Sequence, residues 1–121
     1  VSKNSEILSA AHNQTIKLAD PTAHAEILAL RKATFKIRNY RLLYTTLYVT
    51  LEPCIMCMGA IVHARISRVV FGTTDPKWGA AGSLYNVAED ERLNHHVEII
   101  TGARAEDCRR LMQDFFRAKR E

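Results

Sequence analysis

A strand–helix–strand unit in the middle of the chain constrains the fold most strongly. Residues 46–51 and 67–72 are rich in β-branched and aromatic residues, which predicts two buried strands. Between them, residues 54–65 follow Pro53 and have the composition and length of a helix. Two strands joined by a helix in one sheet pair in parallel through a right-handed crossover. We therefore predict a βαβ core.

Weaker signals predict the elements before this core. Asp20 followed by Pro21 is typical of a helix start, and the apolar stripe that follows predicts a helix over residues 21–36. Residues 6–12 carry an imperfect apolar alternation, which predicts a short strand.

The second half of the chain predicts a loop, a strand and a closing helix. Residues 73–88 are rich in turn-forming residues and form a connection long enough to predict a binding loop. Residues 97–101 predict a further strand, and apolar residues at helical spacing predict a helix from Ala103 onward, with Cys108 in its stripe. These elements predict a single three-layer α/β domain over residues 1–121.

Composition restricts the class of protein. The 47% of hydrophobic and 25% of charged residues are usual for a globular domain of 121 residues. Neither a membrane-length apolar stretch nor the apolar region of a signal peptide is visible, so we expect a cytoplasmic protein without a membrane partner. Three cysteines, an odd number, do not form the framework of a small disulfide scaffold, which favours metal binding or catalysis.

The positive charge of the chain is concentrated in one stretch. The net charge of +4 permits a polyanionic partner without requiring one. No acidic residue occurs between Ile27 and Leu51. Basic residues with interleaved aromatic ones fill part of this stretch: Arg31, Lys32, Phe35, Lys36, Arg38, Tyr40 and Arg41. The pattern is compatible with a surface that faces phosphates and equally with a solvated helix face and turn.

Two cysteines at a predicted helix start suggest a metal site. Cys54 and Cys57 are three positions apart, so both sulfurs project from nearly the same face of the helix. The positive end of the helix favours thiolates there, and zinc binds thiolates. A pair with this spacing could also be a redox pair or half of a structural zinc site.

A histidine and a glutamate in the preceding helix extend this site. His24 and Glu26 are two positions apart, so on a helix they converge only beyond its open N-terminal end. One imidazole and two thiolates leave the fourth tetrahedral position open, as catalytic zinc sites require. Alone, such residues are usually a core histidine and a surface carboxylate. Their combination with the cysteine pair favours a catalytic site.

Residues 24–26 (HAE) and 53–57 (PCIMC) resemble the signature of the cytidine and deoxycytidylate deaminase superfamily. The segments DPTAHAEILALR, TLYVTLEPCIMCMGAIVHARI, RVVFGTTDPKWGAAGSL, LNHHVEI and DFFRAKR further resemble bacterial tRNA adenosine deaminases. The resemblance implies a cytidine-deaminase-like fold, a mixed central sheet with helices on both faces. Family members usually have a helix and a strand before the position of Glu6, and we expect this chain to lack both, as a domain shortened at its N-terminal side.

The resemblance implies hydrolytic deamination of adenosine to inosine at the anticodon wobble position of tRNA. One Zn²⁺ per chain would be held by His24, Cys54 and Cys57, with Glu26 as the catalytic proton shuttle. The implied partners are a tRNA anticodon stem-loop and a second copy of the chain, since the apolar cysteine helix suits an interface. The implied substrate contacts are Asn13, Asp75, Lys77, Ser83, Phe116, Arg117 and Arg120.

Two alternatives remain at this stage. A deaminase of free guanine or cytosine, or of their nucleosides, would share both motifs but would not need the basic stretch. A non-catalytic zinc or RNA-binding subunit would more often have lost Glu26, which this chain retains.

Overall fold

A computed structural model describes residues 1–102 and Arg110. In this part of the chain a mixed five-stranded sheet has the strand order β2-β1-β3-β4-β5. The strands are β1 (Ser2–Lys3), β2 (Glu6–Ile7), β3 (Thr46–Leu51), β4 (Arg68–Thr73) and β5 (Glu98–Ile100). The helices are α1 (Ala25–Ile37) and α2 (Ile55–His63), with a 3₁₀ turn at Val87–Glu89. The predicted closing helix, with Cys108, Phe116, Arg117 and Arg120, lies outside the described residues.

The predicted βαβ core is confirmed. Strands β3 and β4 pair in parallel with Val49 opposite Phe71, and β4 pairs in parallel with β5. Leu47 and Val69 are 2% and 0% exposed, as expected for strands covered by packed residues. Helix α2 connects β3 to β4, so its N-terminus follows the carboxyl end of β3.

Helix α1 begins later than the sequence predicted. The Asp20 carboxylate accepts hydrogen bonds from the Thr22 backbone N–H at 2.8 Å and from its hydroxyl at 2.7 Å. This Asx-type turn uses the carboxylate that would otherwise cap a helix starting at Pro21. His24 is the residue before the helix instead, with φ −69° and ψ 151°. The helix ends at Ile37 because Arg38 adopts the left-handed conformation, with φ 54°.

The first residues differ from the expectation that no strand precedes Glu6. Strand β1 pairs antiparallel with β2 and, through Ser2 and Thr46, with β3. The predicted strand over residues 6–12 is correspondingly short, because only Glu6 and Ile7 have a partner in this hairpin.

The two helices contact each other and therefore cover the same face of the sheet. Their packed residues join those of the sheet in one core, which includes Leu30, Ala33, Leu47, Met58, Ile61 and Val69. Among the described helices none has the length and apolar character needed to cross a bilayer. The fold prediction of a mixed-sheet α/β domain is confirmed.

Candidate active site

The N-termini of α1 and α2 meet and bring three metal-binding side chains together. His24 and Cys54 are the residues immediately before the two helices, and Cys57 lies in the first turn of α2. His24 Nδ1 lies 3.6 Å from Cys54 Sγ and 3.5 Å from Cys57 Sγ. All three donor atoms lie within 4.8 Å of one another, close enough to hold one metal ion.

The environment of Cys57 favours a thiol in the protein alone. Burial raises the pKa of this thiol, and the negative charge of Glu26 and the neighbouring Cys54 raise it further. Glu26, in the first turn of α1, therefore lies close enough to the donor atoms to change the pKa of Cys57. A bound cation would favour the thiolate and compensate its negative charge, so this buried thiol pair beside Glu26 suits a metal ion.

A cavity of about 1040 Å³ opens beside these donors. Its lining includes His24, Glu26 and Cys54 together with Val49 and Leu51 from β3. A largely apolar wall with a few convergent polar groups is typical of ligand-binding cavities. Glu26 is thus exposed to the same space as the metal-binding residues.

Among the described residues, two of the predicted substrate contacts line the cavity and two lie outside its lining. Asn13 and Asp75 line the cavity, although Asn13 Oδ1 also accepts two hydrogen bonds from Thr15 in a local turn. Lys77 is exposed outside the cavity lining, and its backbone N–H donates to Asp75 Oδ1 at 3.0 Å. Ser83 also lies outside the lining, where its hydroxyl and backbone N–H both donate to Glu52.

Glu52, a buried acid between β3 and Pro53, belongs to the site although the sequence did not predict it as a site residue. Its Oε1 accepts hydrogen bonds from the Asp75 N–H at 3.0 Å and from the Ser83 hydroxyl. Its Oε2 accepts from the N–H groups of Ala81 at 2.9 Å and Ser83 at 3.0 Å. Burial by itself would raise the pKa of Glu52, but these hydrogen bonds outweigh it and hold the pKa below its usual value. The signal in the sequence that could have indicated Glu52 was an acidic residue placed directly between a predicted strand and a proline.

Trp78 was also missed as a site residue. It lines the cavity next to Asp75 while remaining 69% exposed. An exposed aromatic ring at the rim of a cavity can stack on a planar ligand. The signal in the sequence was a tryptophan inside the predicted binding loop.

The basic stretch forms a surface at the other end of α1. Phe35, Tyr40 and Tyr44 are 77%, 71% and 79% exposed. A cationic group lies over each ring: Arg38 over Phe35 at 5.7 Å, Arg41 over Tyr40 at 5.5 Å and Lys3 over Tyr44 at 6.0 Å. We call these six residues the basic aromatic surface. The 13 residues of α1 separate it from the metal-binding residues by about 20 Å.

The sheet order, the paired helix N-termini and the His–Cys–Cys donor set define a deaminase with the cytidine-deaminase-like fold. A family model described as MafB19-like deaminase matches residues 1–120, and the chain belongs to this family. Among its individual relatives are deaminases that act on tRNA.

The chain is 51% identical over 115 residues to the tRNA-specific adenosine deaminase of Haemophilus influenzae, covering 95% of this chain and 66% of that protein. It therefore spans slightly less than two thirds of that relative. A solved structure from studies of A-to-I editing by tRNA:A34 deaminases at the wobble position is 39% identical, with a TM-score of 0.80. That match covers 84% of this chain and 78% of the other. Guanine deaminase from Bacillus subtilis is 40% identical with a TM-score of 0.59, over 60% of this chain and 46% of that one.

Proposed function

We propose that this chain is a zinc-dependent deaminase that converts adenosine to inosine at the wobble position of tRNA in the cytoplasm. The observation that carries the proposal is the convergence of His24, Cys54 and Cys57 at a cavity that is lined by His24, Cys54 and Glu26. The names of the relatives, tRNA-specific adenosine deaminase and tRNA:A34 deaminase, support adenosine in tRNA as the substrate.

The spacing of the donor atoms fits zinc. Tetrahedral zinc with Zn–S bonds of about 2.3 Å and Zn–N bonds of about 2.05 Å separates sulfur from nitrogen by about 3.6 Å. The two sulfur–nitrogen distances at His24 Nδ1 are 3.6 Å and 3.5 Å. Both sulfur–nitrogen separations therefore already match those of a tetrahedral zinc site. Three protein ligands leave one position for water, which is the composition of a catalytic site.

Zinc, when bound, supplies a nucleophile at neutral pH by lowering the pKa of water from 15.7 to about 7. Glu26 lies in the cavity with the metal donors and can take the proton of the attacking water. The same carboxyl group returns this proton to N1 of adenine, and then transfers the remaining proton of the hydroxyl group now on C6 to the departing amine. His24, Cys54 and Cys57 hold the metal, and inosine and ammonia are the products.

A base inside an RNA stack cannot reach this cavity, so the wobble adenosine must turn out of the anticodon loop. Asn13 and Asp75 would contact the nucleoside, and Trp78 would stack on it or on a neighbouring base. Lys77, Ser83, Phe116, Arg117 and Arg120 are the remaining proposed contacts. We further propose that the basic aromatic surface binds phosphates of the anticodon stem-loop about 20 Å away, a distance that an RNA hairpin spans.

A homodimer is part of the proposal. Leu51, at the end of β3, and Ile55, the first residue of α2, are 47% and 51% exposed. Exposed aliphatic residues beside a cavity are typical of protein interfaces, and this pair would be covered by the second copy. Sedimentation of the parent and of Ile55→Glu tests this point, because a buried carboxylate would dissociate the dimer.

The decisive experiment is inosine formation on a tRNA anticodon stem-loop, with free adenosine, cytidine and guanine as parallel substrates. Inosine in the stem-loop with little turnover of the free compounds supports the proposal. The guanine arm is included because guanine deaminase is among the structural matches. Turnover of guanine without activity on RNA would overturn the substrate assignment, and Glu26→Gln is the matched inactive control.

A further inference from the structure

We propose that Glu52 is a positioning residue that holds residues 75–83 in place as one wall of the active-site cavity. Its side chain is 3% exposed, and four hydrogen bonds reach it, all from this loop. The proposal concerns substrate positioning and rests in that respect on the proposed RNA deaminase function.

The chemistry of the four hydrogen bonds requires a carboxylate. All four partners are donors, and each oxygen of Glu52 accepts two of them. An ionised carboxylate is acceptor-only, whereas a glutamine amide presents a donor on one side. In either orientation, Glu52→Gln would therefore turn an NH₂ group towards at least one backbone N–H group, which then loses its acceptor. Buried donors without an acceptor destabilise the arrangement that buries them.

The backbone of the loop packs directly on the same carboxyl group, which is a second and independent observation. A Cβ atom added at Gly79 would overlap with the Glu52 carboxyl group and with the carbonyl oxygen of Asp75. Only a glycine permits this close approach. Both the hydrogen bonds and the packing of the loop therefore depend on Glu52.

The loop is also joined directly to the residues that precede the metal-binding helix. Gly79 forms a β-bridge with Cys54, and the Ala80 N–H donates to the Pro53 carbonyl at 2.9 Å. Asp75 and Trp78, in the same loop, line the cavity together with Cys54. Loss of the Glu52 carboxylate should therefore loosen the loop at Asp75, Ala81 and Ser83, whereas the contacts at Gly79 and Ala80 keep Cys54 and the other metal donors in place.

The first test needs no substrate, because Trp78 is the single tryptophan of the chain and lies in this loop. Glu52→Gln should lower the fluorescence anisotropy of Trp78 and increase its quenching by acrylamide, with the circular dichroism unchanged. Gly79→Ala should change both Trp78 signals in the same direction, because its methyl group would push the loop away from Glu52. Glu98→Gln is the matched control, because Glu98 pairs with Arg68 at 3.1 Å and takes no part in the loop. If Glu52→Gln does not fold, Ser83→Ala removes a single donor and is measured in the same way.

The second test separates positioning from general stability. Glu52→Gln should keep one metal ion per chain and raise KM for the stem-loop by about tenfold or more, because only part of the population retains the wall. Glu52→Asp, which keeps both acceptor oxygens, should recover part of this loss. Unchanged Trp78 signals and KM would overturn the proposal. So would loss of the metal from a folded variant, or a lower kcat with unchanged KM, since these mark a role other than positioning the loop.

The outcomes also separate this inference from the proposed function. If the parent protein does not deaminate the stem-loop, the proposed function fails. The Trp78 measurements then still decide whether Glu52 holds the loop. Unchanged Trp78 signals in Glu52→Gln would reject this role of Glu52 without bearing on the proposed function.

Discussion

Neutralising Arg38 and Arg41 tests whether the basic aromatic surface binds RNA. Each Lys or Arg that contacts a phosphate contributes about 0.7 to 0.9 to the slope of log affinity against log salt concentration. Replacing both by glutamine should therefore flatten the slope by about 1.4 to 1.8. Over a fourfold change in salt, from about 50 to 200 mM, the affinity advantage of the parent should shrink by about 7- to 12-fold.

The structure provides the controls for this experiment. Arg92 donates to both oxygens of Asp90, at 2.9 Å and 2.7 Å, so Arg92→Gln removes a charge that is already paired. Lys36 is left unchanged because it lies 3.7 Å from Glu6. The surface is about 20 Å from the metal donors, more than twice the Debye length at physiological salt, so kcat at saturating RNA should not change. Fluorescence anisotropy of a labelled stem-loop across the salt series measures the slopes. Identical slopes for the parent and the double variant would refute the reasoning.

Three further predictions concern the metal site. Glu26→Gln should keep zinc and lower turnover by about 10² to 10⁴, measured by inosine formation, and near-parental turnover would contradict its role as proton shuttle. Cys57→Ala should lose zinc whereas Cys108→Ser should keep it, and metal analysis that shows the reverse would reject the ligand assignment. Because burial raises the pKa of Cys57, zinc binding displaces its proton. Apparent zinc affinity, measured against a chelating dye, should therefore rise by at least about tenfold per pH unit from about pH 6 to 8, and a flat profile would contradict this.

Local patterns in the sequence were sufficient to predict the centre of the fold. Strand β3 has the bounds that its β-branched and aromatic residues predicted, residues 46–51. The donor set of His24, Cys54 and Cys57 also followed from spacing, because both motifs lie at helix starts and their geometry depends on a few adjacent residues. The parallel pairing of β3 with β4 followed from the helix between them.

Features that depend on competing or distant contacts were not predictable in the same way. Asp20 and Pro21 are typical of a helix start, but the Asp20 carboxylate binds Thr22 in a turn and α1 begins at Ala25. Strand β1 has only two residues, too few for a recognisable alternation. The partners of Glu52 lie 23 to 31 residues further along the chain, and no local pattern links an acid to donors at that separation.

The way the cavity loop is anchored bears on how this enzyme scaffold could diversify. Three of the four donors to Glu52 are backbone N–H groups, so the path of residues 75–83 depends little on most of the side chains along it. Lys77 and Trp78 are exposed and do not donate to Glu52 through their side chains. Point mutations at these two positions can therefore change the chemistry that meets the base or its neighbours without a new backbone. A combinatorial library restricted to these two positions would explore substrate preference while the loop keeps its path, whereas any side chain at Gly79 would displace the loop from Glu52.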